Sequence, residues 1–429
     1  MESTHKVDGE NAETAAQTAF LVGLQRAGES PKEASALISE LHELVTNLGI
    51  TVGDSTIVRI REEHPRYLVG AGKMEEIAEK ARAQGCKLII FDDSLSPAQQ
   101  RNWENDSKLR VIDRQEVILD IFASRASTRE AVLQVELARL EIQLPRLKRL
   151  WSHLDRQRGG GSTQRDAGET QIEMDRRLLR KRIAKVRTEL EAVKRHRATQ
   201  RKQRQRVPLP TAAIVGYTNA GKSSLLNKLT GTSLLAANKL FATLDPTTRR
   251  LTLPNGRILL LTDTVGFVRR LPHQLVDAFK STLEEAVQAD FLIQVIDISS
   301  PEYAAHWQTT RTVLAEIGAA EKPLITVFNK IDTLTQPTTT DAARELHPDA
   351  TFVSAHTGEG IETLLAKLEQ KTNEQQYPAQ LFIPHERHDF LGKLRATATV
   401  LSEKHEDTGV RVEALLPPRI LTAAAAFTV

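Results

Sequence analysis

The chain holds a single cysteine, Cys86, among its 429 residues, so no disulfide can form within it and the fold must rest on buried apolar surface. Aromatic residues are sparse as well, at 4%, while 40% of the residues are hydrophobic, enough for cores built mainly from aliphatic side chains. No apolar run approaches the roughly 20 residues that a membrane-spanning helix needs. Residues 1–17 are polar and lack the apolar centre of a secretion signal, so a disordered tail is expected over 1–18. A cytoplasmic chain with its thiol reduced and no membrane span fits these absences. The length implies two to four domains.

Neither sign of charge dominates, with a net +3, yet the distribution is uneven. Between Arg176 and Arg206 fourteen Lys and Arg face only Glu189 and Glu191, a local net of +12 that leaves about −9 for everything else. A basic rod on a mildly acidic body favours polyanions, with RNA the expected one in this compartment.

A phosphate-binding pattern runs through Gly216, Tyr217, Thr218, Asn219, Ala220, Gly221, Lys222 and Ser223, followed by Ser224. It follows the apolar, strand-like residues 211–215 and opens the amphipathic, helix-like residues 224–229. Glycines there let backbone N–H groups close around phosphate oxygens, Lys222 neutralises them, and the Ser223 hydroxyl can ligate Mg²⁺. Asp263, Thr264, Val265 and Gly266 come after the apolar residues 258–261, placing a carboxylate at a strand end where it can hold the metal's water shell, and Gly266 leaves room for an N–H to reach a terminal phosphate. Between these elements lie Phe241 and the hydroxyls of Thr243, Thr247 and Thr248, of which Thr243 is favoured as the further Mg²⁺ ligand. Asn255 and Gly256 separate residues 250–253 from 257–261, which reads as a hairpin whose second strand delivers Asp263.

Base choice is written later. Asn329, Lys330 and Asp332 end the apolar strand of residues 324–328, and a carboxylate at Asp332 can accept from guanine's ring N–H and exocyclic amine, donors that adenine lacks as a pair. Ser354, Ala355 and His356 follow residues 351–353, and a backbone N–H there can meet the guanine carbonyl. In this order the elements specify a guanine-nucleotide site, with Lys222, Thr243 and Gly266 closest to the reaction. They resemble the five signature elements of translation-factor-type P-loop GTPases. Where the commoner small GTPases carry a water-orienting glutamine, this chain has Phe267, whose ring neither donates nor accepts. The unassisted reaction should therefore be slow. A partner, another residue, or a bound monovalent cation supplies the missing group; Asn219 resembles the asparagine of K⁺-dependent GTPases.

Upstream, strand and helix signals alternate over residues 19–24, 31–48, 51–60, 68–69, 74–84, 88–91, 97–105, 110–112 and 115–122, the pattern of a parallel α/β sheet. Gly70, Ala71, Gly72 and Lys73 precede a helix without full phosphate-loop spacing and read as its cap. Leu133, Leu137, Leu140, Leu144 and Leu147, then Leu179, Ile183, Val186, Leu190 and Val193, repeat at 4-3-4-3 spacing, an antiparallel pair of helices that cover each other's stripes. Pro145 should kink or stop the first. The connection carries Gly159, Gly160 and Gly161 beside Arg156, Arg158 and Arg165, continuing to Glu169 as a flexible basic tip. These three arginines with Arg176, Arg177, Arg180 and Lys181 are the candidate RNA contacts. After about residue 376, strands at 380–383 and 410–414 flank a helical 385–396 in a small α+β unit.

Residues 69–76, 95–104, 120–126, 134–138 and 144–147, together with the Gly- and Arg-rich connection and Phe267, are similar to the HflX family of ribosome-associated GTPases. The resemblance implies a monomer that binds the large ribosomal subunit and its rRNA, with ribosome-stimulated hydrolysis of GTP that splits or rescues idle or stalled ribosomes, often under stress. Family members usually end the tip with Gly-Pro-Gly-Glu, whereas this chain reads Gly161, Ser162, Thr163, Gln164, Arg165, Asp166, Ala167, Gly168, Glu169. The competing reading is a ribosome-assembly or RNA-binding platform in which GTP occupancy is structural and hydrolysis incidental. The expected organisation is a tail (1–18), an N-terminal parallel α/β domain (19–126), a basic helical hairpin (127–206), a P-loop GTPase domain with helices on both faces of a mixed sheet (207–372), and a small α+β domain (373–429).

Overall fold

The structure is a computed structural model that describes residues 18–150, 163–204, 209–231, 240–241, 243–270, 283–334, 337–374 and 377–429. The expected tail and the glycine-rich tip with Arg156 and Arg158 lie outside the described residues. The chain divides into two compact units.

In the first unit, strands β1 (Thr18–Gln25), β2 (Thr51–Arg59), β3 (Leu88–Phe91) and β4 (Arg110–Asp113) form a parallel sheet in the order β2-β1-β3-β4. All four residues of β3 are buried, as a central strand covered on both faces requires. The helices start at written caps. Ser30 accepts from Glu33 N–H ahead of α1 (Pro31–Asn47), and Ser96 accepts from Gln99 N–H ahead of α3 (Pro97–Ser107), each as a capping box. Gly70 is the N-cap of α2 (Ala71–Ala83). Residues 68–69 are not a strand: Leu68 sits at φ 67° in an isolated bridge with His64, a left-handed backbone that cannot continue a pleat. Helix α4 (Arg114–Arg125) begins with Arg114, 2% exposed, whose guanidinium lies 2.6 Å from Asp92 and 3.2 Å from Glu40. Burial outweighs that pairing and raises the Asp92 carboxyl above its usual range. Leu240, Phe241, Thr243, Leu244 and Arg270 also belong to this unit. The Phe241 ring meets Phe122 edge-on at 4.6 Å, and Arg270 lies 3.0 Å from Asp93 and 3.1 Å from Glu29.

Helix α5 (Arg129–Leu150) runs through Pro145 instead of stopping there. The proline forfeits one hydrogen bond, while Arg146 in the following position pairs with Glu116 at 3.0 Å. Helix α6 (Thr163–Arg204) starts well before Glu169, so the stretch expected to prolong the flexible tip is helical, Arg165 included. The apolar stripes are buried at Leu133, Leu137, Ile183, Val186 and Leu190. Arg182 and Arg187 pair with Glu136 and Glu141, both at 2.7 Å, linking the two helices.

In the second unit, β5 (Thr211–Gly216), β6 (Thr247–Thr252), β7 (Ile258–Asp263), β8 (Phe291–Asp297), β9 (Leu324–Asn329) and β10 (Thr351–Phe352) form a sheet in the order β10-β9-β8-β5-β7-β6. It is parallel except for the β6–β7 hairpin, which pairs Thr247 with Asp263 and so is mixed as expected. Strand alternation sends Ala212 and Ile214 to a core with Leu225, Leu226, Leu364 and Leu368, and Ala213 and Val215 to a core with Val313 and Leu314. Helices α7 (Lys222–Thr230) and α9 (Ile361–Glu374) thus cover one face, and α8 (Tyr303–Glu316) the other. Farther along the chain, β11 (Tyr377–Pro384), β12 (Thr399–Glu406) and β13 (Gly409–Leu416) make an antiparallel sheet in the order β11-β13-β12, whose core takes in Phe390, Leu391 and Leu394 from α10 (His388–Thr397). Among the described residues, no helix is long and apolar enough to cross a membrane.

Candidate functional site

The loop between β5 and α7 turns on Gly221, whose φ of 89° suits glycine and whose added Cβ would meet Asn329 Nδ2 at 2.3 Å. The turn points the start of α7 back across the strand ends, which places Lys222 inside it. Only 7% exposed, Lys222 donates from Nζ to Gly216 O at 3.1 Å and Tyr217 O at 2.8 Å. Burial lowers the ammonium to about 8, with the Asp263 charge opposing the shift. Next along the helix, the Ser223 hydroxyl donates to Asp263 Oδ2 at 2.6 Å. Asp263 is 1% exposed at the end of β7, so one hydroxyl and one carboxylate meet at the N-terminus of a helix, where the backbone favours anions.

Gly266 closes the other side. A Cβ added there would lie 2.9 Å from Lys222 Nζ and 2.9 Å from Thr218 Cα. Beyond it, Phe267 N–H donates to Gly216 O at 3.0 Å and Thr218 N–H to Phe267 O at 2.8 Å, a short parallel bridge between the loop and the segment after Asp263. The Phe267 ring is 1% exposed and packed with Ala213, Val215 and Leu292. It is a core side chain, rooted away from the polar loop.

The later motifs come to the same strand ends. Asn329 donates from Nδ2 to Ala220 O at 2.9 Å and accepts at Oδ1 from Ala355 N–H at 3.0 Å, tying the phosphate loop to the Ser354 turn. Lys330, at φ 67°, extends its ammonium to Asp297 at 2.6 Å. Asp332 Oδ2 stands 3.7 Å from His356 Nδ1. Ser354 N–H donates to Glu359 O, so the two amides expected to meet a guanine carbonyl are both engaged within the protein here. Asn219 is exposed at φ 60°. Phe241 and Thr243 are grouped with the first unit. Of the candidate RNA contacts, Arg177, Arg180 and Lys181 are exposed on α6 and Arg176 is half-buried.

Spacing gave no warning of three further residues. His306, from α8, stacks on the Tyr217 ring at 3.9 Å with 12° between planes. The Tyr217 hydroxyl accepts from Arg269 N–H at 2.8 Å, and the Arg269 guanidinium lies 3.5 Å from Glu302. Burial, joined by the nearby Arg269, lowers His306 to about 4, so the ring is neutral at physiological pH. A contact between positions 89 residues apart in the chain leaves no periodic trace.

The donor set suits Mg²⁺ and a polyphosphate. Hard oxygen ligands from Ser223 and Asp263 converge, the Lys222 ammonium is desolvated, and the close packing at Gly221, against the Asn329 side chain, and at Gly266, against Thr218 and Lys222, makes a cradle that any Cβ would fill.

Residues 35–123, 125–204 and 211–330 match the family models described as GTP-binding GTPase N-terminal, GTP-binding GTPase Middle Region and 50S ribosome-binding GTPase. The chain is 47% identical to GTPase HflX of Akkermansia muciniphila, over 94% of both chains. It is 43% identical to GTPase HflX of Escherichia coli K12, over 89% of each. A solved GTP-binding protein of Sulfolobus solfataricus in complex with GDP is 29% identical, with a TM-score of 0.44, covering 82% of this chain and 98% of that one.

Proposed function

The chain belongs to the HflX family of GTPases, and from that premise we propose a GTP-driven switch that docks on the large ribosomal subunit and its rRNA and splits or rescues stalled and idle ribosomes. Hydrolysis of GTP to GDP and phosphate is the reaction of this enzyme family. The observation that carries the nucleotide reading is the buried Lys222 ammonium, facing loop carbonyls beside the Ser223–Asp263 pair, because its desolvation is relieved by phosphate oxygens.

In this reading Lys222 and the amides of residues 219–223 hold the phosphates, Asp332 selects guanine, and Ser223, Asp263 and Thr243 hold Mg²⁺. The metal neutralises charge on the phosphate oxygens when bound. Gly266 offers its N–H to the terminal phosphate, while the buried Phe267 ring leaves water unoriented. Intrinsic turnover is slow for that reason. A ribosomal group, or K⁺ held beside Asn219, supplies what the ring cannot. Release of the Asp263 and Thr243 segments after hydrolysis resets the switch.

Docking rests on α6, where Arg177, Arg180 and Lys181 are exposed, within a stretch of sequence from Arg176 to Arg206 whose net charge is +12. Co-sedimentation with separated ribosomal subunits under GTP, GDP and a non-hydrolysable analogue tests the proposal. The expected result is triphosphate-dependent pelleting with large subunits that also accelerate turnover. Equal pelleting in all three states, with an unchanged hydrolysis rate, refutes it. Subunit separation sustained by the analogue over many cycles would favour the platform reading.

A further inference from the structure

We infer that Tyr217, braced by His306, is a latch that sets how strongly this site discriminates against the triphosphate relative to the diphosphate. The inference deepens the guanine-nucleotide reading above and rests on it.

Among the described residues, hydrogen bonds of two kinds hold the segment after Gly266 against the phosphate loop. Two are backbone bonds of the Tyr217–Phe267 bridge, Phe267 N–H to Gly216 O and Thr218 N–H to Phe267 O, which any pair of residues could make. The other kind is written in a side chain, because Arg269 N–H donates to the Tyr217 hydroxyl at 2.8 Å. Tyr217 is 5% exposed, and its ring lies face to face with the half-buried His306 ring at 3.9 Å. A stacked, enclosed ring cannot swing its hydroxyl away, so the acceptor stays at the height of the Arg269 amide. Glu302, four residues before His306 at the start of α8, takes the Arg269 guanidinium at 3.5 Å. One helix terminus thereby fixes Arg269 twice, at its backbone through Tyr217 and at its guanidinium directly.

Gly266 gives the latch its consequence. An added Cβ on Gly266 would stand 2.9 Å from Lys222 Nζ and 2.9 Å from Thr218 Cα, so even a methyl group there requires the loop backbone or the Gly266 segment to move. A third phosphate needs both the Lys222 ammonium and the Gly266 amide around its oxygens, and a phosphoryl group is larger than a methyl. The Gly266–Arg269 segment must therefore lift for the triphosphate. A diphosphate, held by the loop amides and Lys222, makes no such demand. Every bond that keeps the segment down opposes one nucleotide and spares the other, and the Tyr217 hydroxyl contributes a bond that a substitution can remove without touching the backbone.

The test measures dissociation constants of GDP and a non-hydrolysable GTP analogue, with Mg²⁺, on the full chain. Tyr217→Phe keeps the ring and deletes the acceptor; it should shift the ratio of the two constants toward the analogue by about five-fold, the equilibrium equivalent of one ordinary hydrogen bond. His306→Ala, which frees the ring to turn, should shift the ratio the same way. His306→Phe keeps a flat ring in the stack and should return the ratio to that of the unaltered chain. An unmoved ratio in Tyr217→Phe, or a shift toward GDP, overturns the latch, and failure of His306→Phe to restore the ratio overturns the bracing role. Absence of binding of either nucleotide to the unaltered chain would instead overturn the guanine-nucleotide reading beneath it.

Discussion

Lys222 should make nucleotide affinity fall on the alkaline side of neutrality. The ammonium is 7% exposed, donates to carbonyls of its own loop, and is lowered by burial to about 8 against the opposing Asp263 charge. Phosphate oxygens favour the charged form, so binding draws a proton onto whatever fraction of Lys222 is neutral. With that value, about nine-tenths of the lysine is charged near pH 7 and about a quarter near pH 8.5, so affinity for GDP should weaken about four-fold across the window. A lysine at its ordinary value would give no change. Titration calorimetry at both pH values, in two buffers that differ in ionisation enthalpy, reads the affinity and the proton uptake together. Constant affinity with no uptake would show that the ammonium is not desolvated and would refute the reasoning. The same burial has a consequence for stability. Because the folded value lies below the unfolded one, the unfolded chain binds more protons between about pH 8 and 10.5, and the nucleotide-binding unit gains stability as pH rises through that window. The gain is bounded at about 3 kcal/mol. Lys222→Met removes the burden, so near pH 7 it should stabilise this unit while abolishing nucleotide binding, a pairing that denaturant melts and calorimetry check.

Phe267→Gln should not restore intrinsic hydrolysis, because position 267 opens into the core with Ala213, Val215 and Leu292; it should instead destabilise by about 3 kcal/mol or more, read in denaturant melts, and faster unassisted turnover would refute this. Charge reversal of Arg177, Arg180 and Lys181 should weaken ribosome pelleting and flatten its salt dependence while nucleotide affinity, measured in parallel, stays within about two-fold; equal loss of both would show that the two properties are not separable. His306, held at about 4, should weaken the fold as pH drops from about 6.5 toward 4, by no more than about 2 kcal/mol given its partial exposure, and His306→Phe should remove that acid slope in urea melts at successive pH values.

Much of the architecture was legible in local pattern. The helix signals over 31–48 and 97–105, the Asn255–Gly256 turn and the apolar strands each act over a few residues, and the structure puts helices and strands there. Of the two outcomes expected at Pro145, a stop is excluded because helix α5 continues, and the stretch after the glycine-rich connection proved helical from Thr163. In the site, motif order indicated which residues gather at the strand ends around Lys222, since each motif follows a strand of one parallel sheet and such strands end on the same side. It also marked the absence of a polar group at Phe267.

Direction and distance were another matter. Nothing in the spacing says that the Phe267 ring is sunk in a core, that Asn329 bridges two loops, or that His306 lies flat on Tyr217. The first and last arise when helix α8 packs across β5 and β8, and the second when the ends of β9 and β10 meet the phosphate loop; no residue near Tyr217 in the chain encodes those meetings. The sequence by itself determined the residue types on which the proposed chemistry rests: a glycine-rich loop with its lysine, a carboxylate at a strand end, an aspartate in a later motif and a concentrated basic segment, because each depends on residue types at short, fixed offsets along one backbone. Tertiary structure alone decided the energetics of that chemistry. The shift of Lys222 to about 8 and the latch on Arg269 exist only where separate segments exclude water from each other, and that exclusion belongs to the packed sheet and helices.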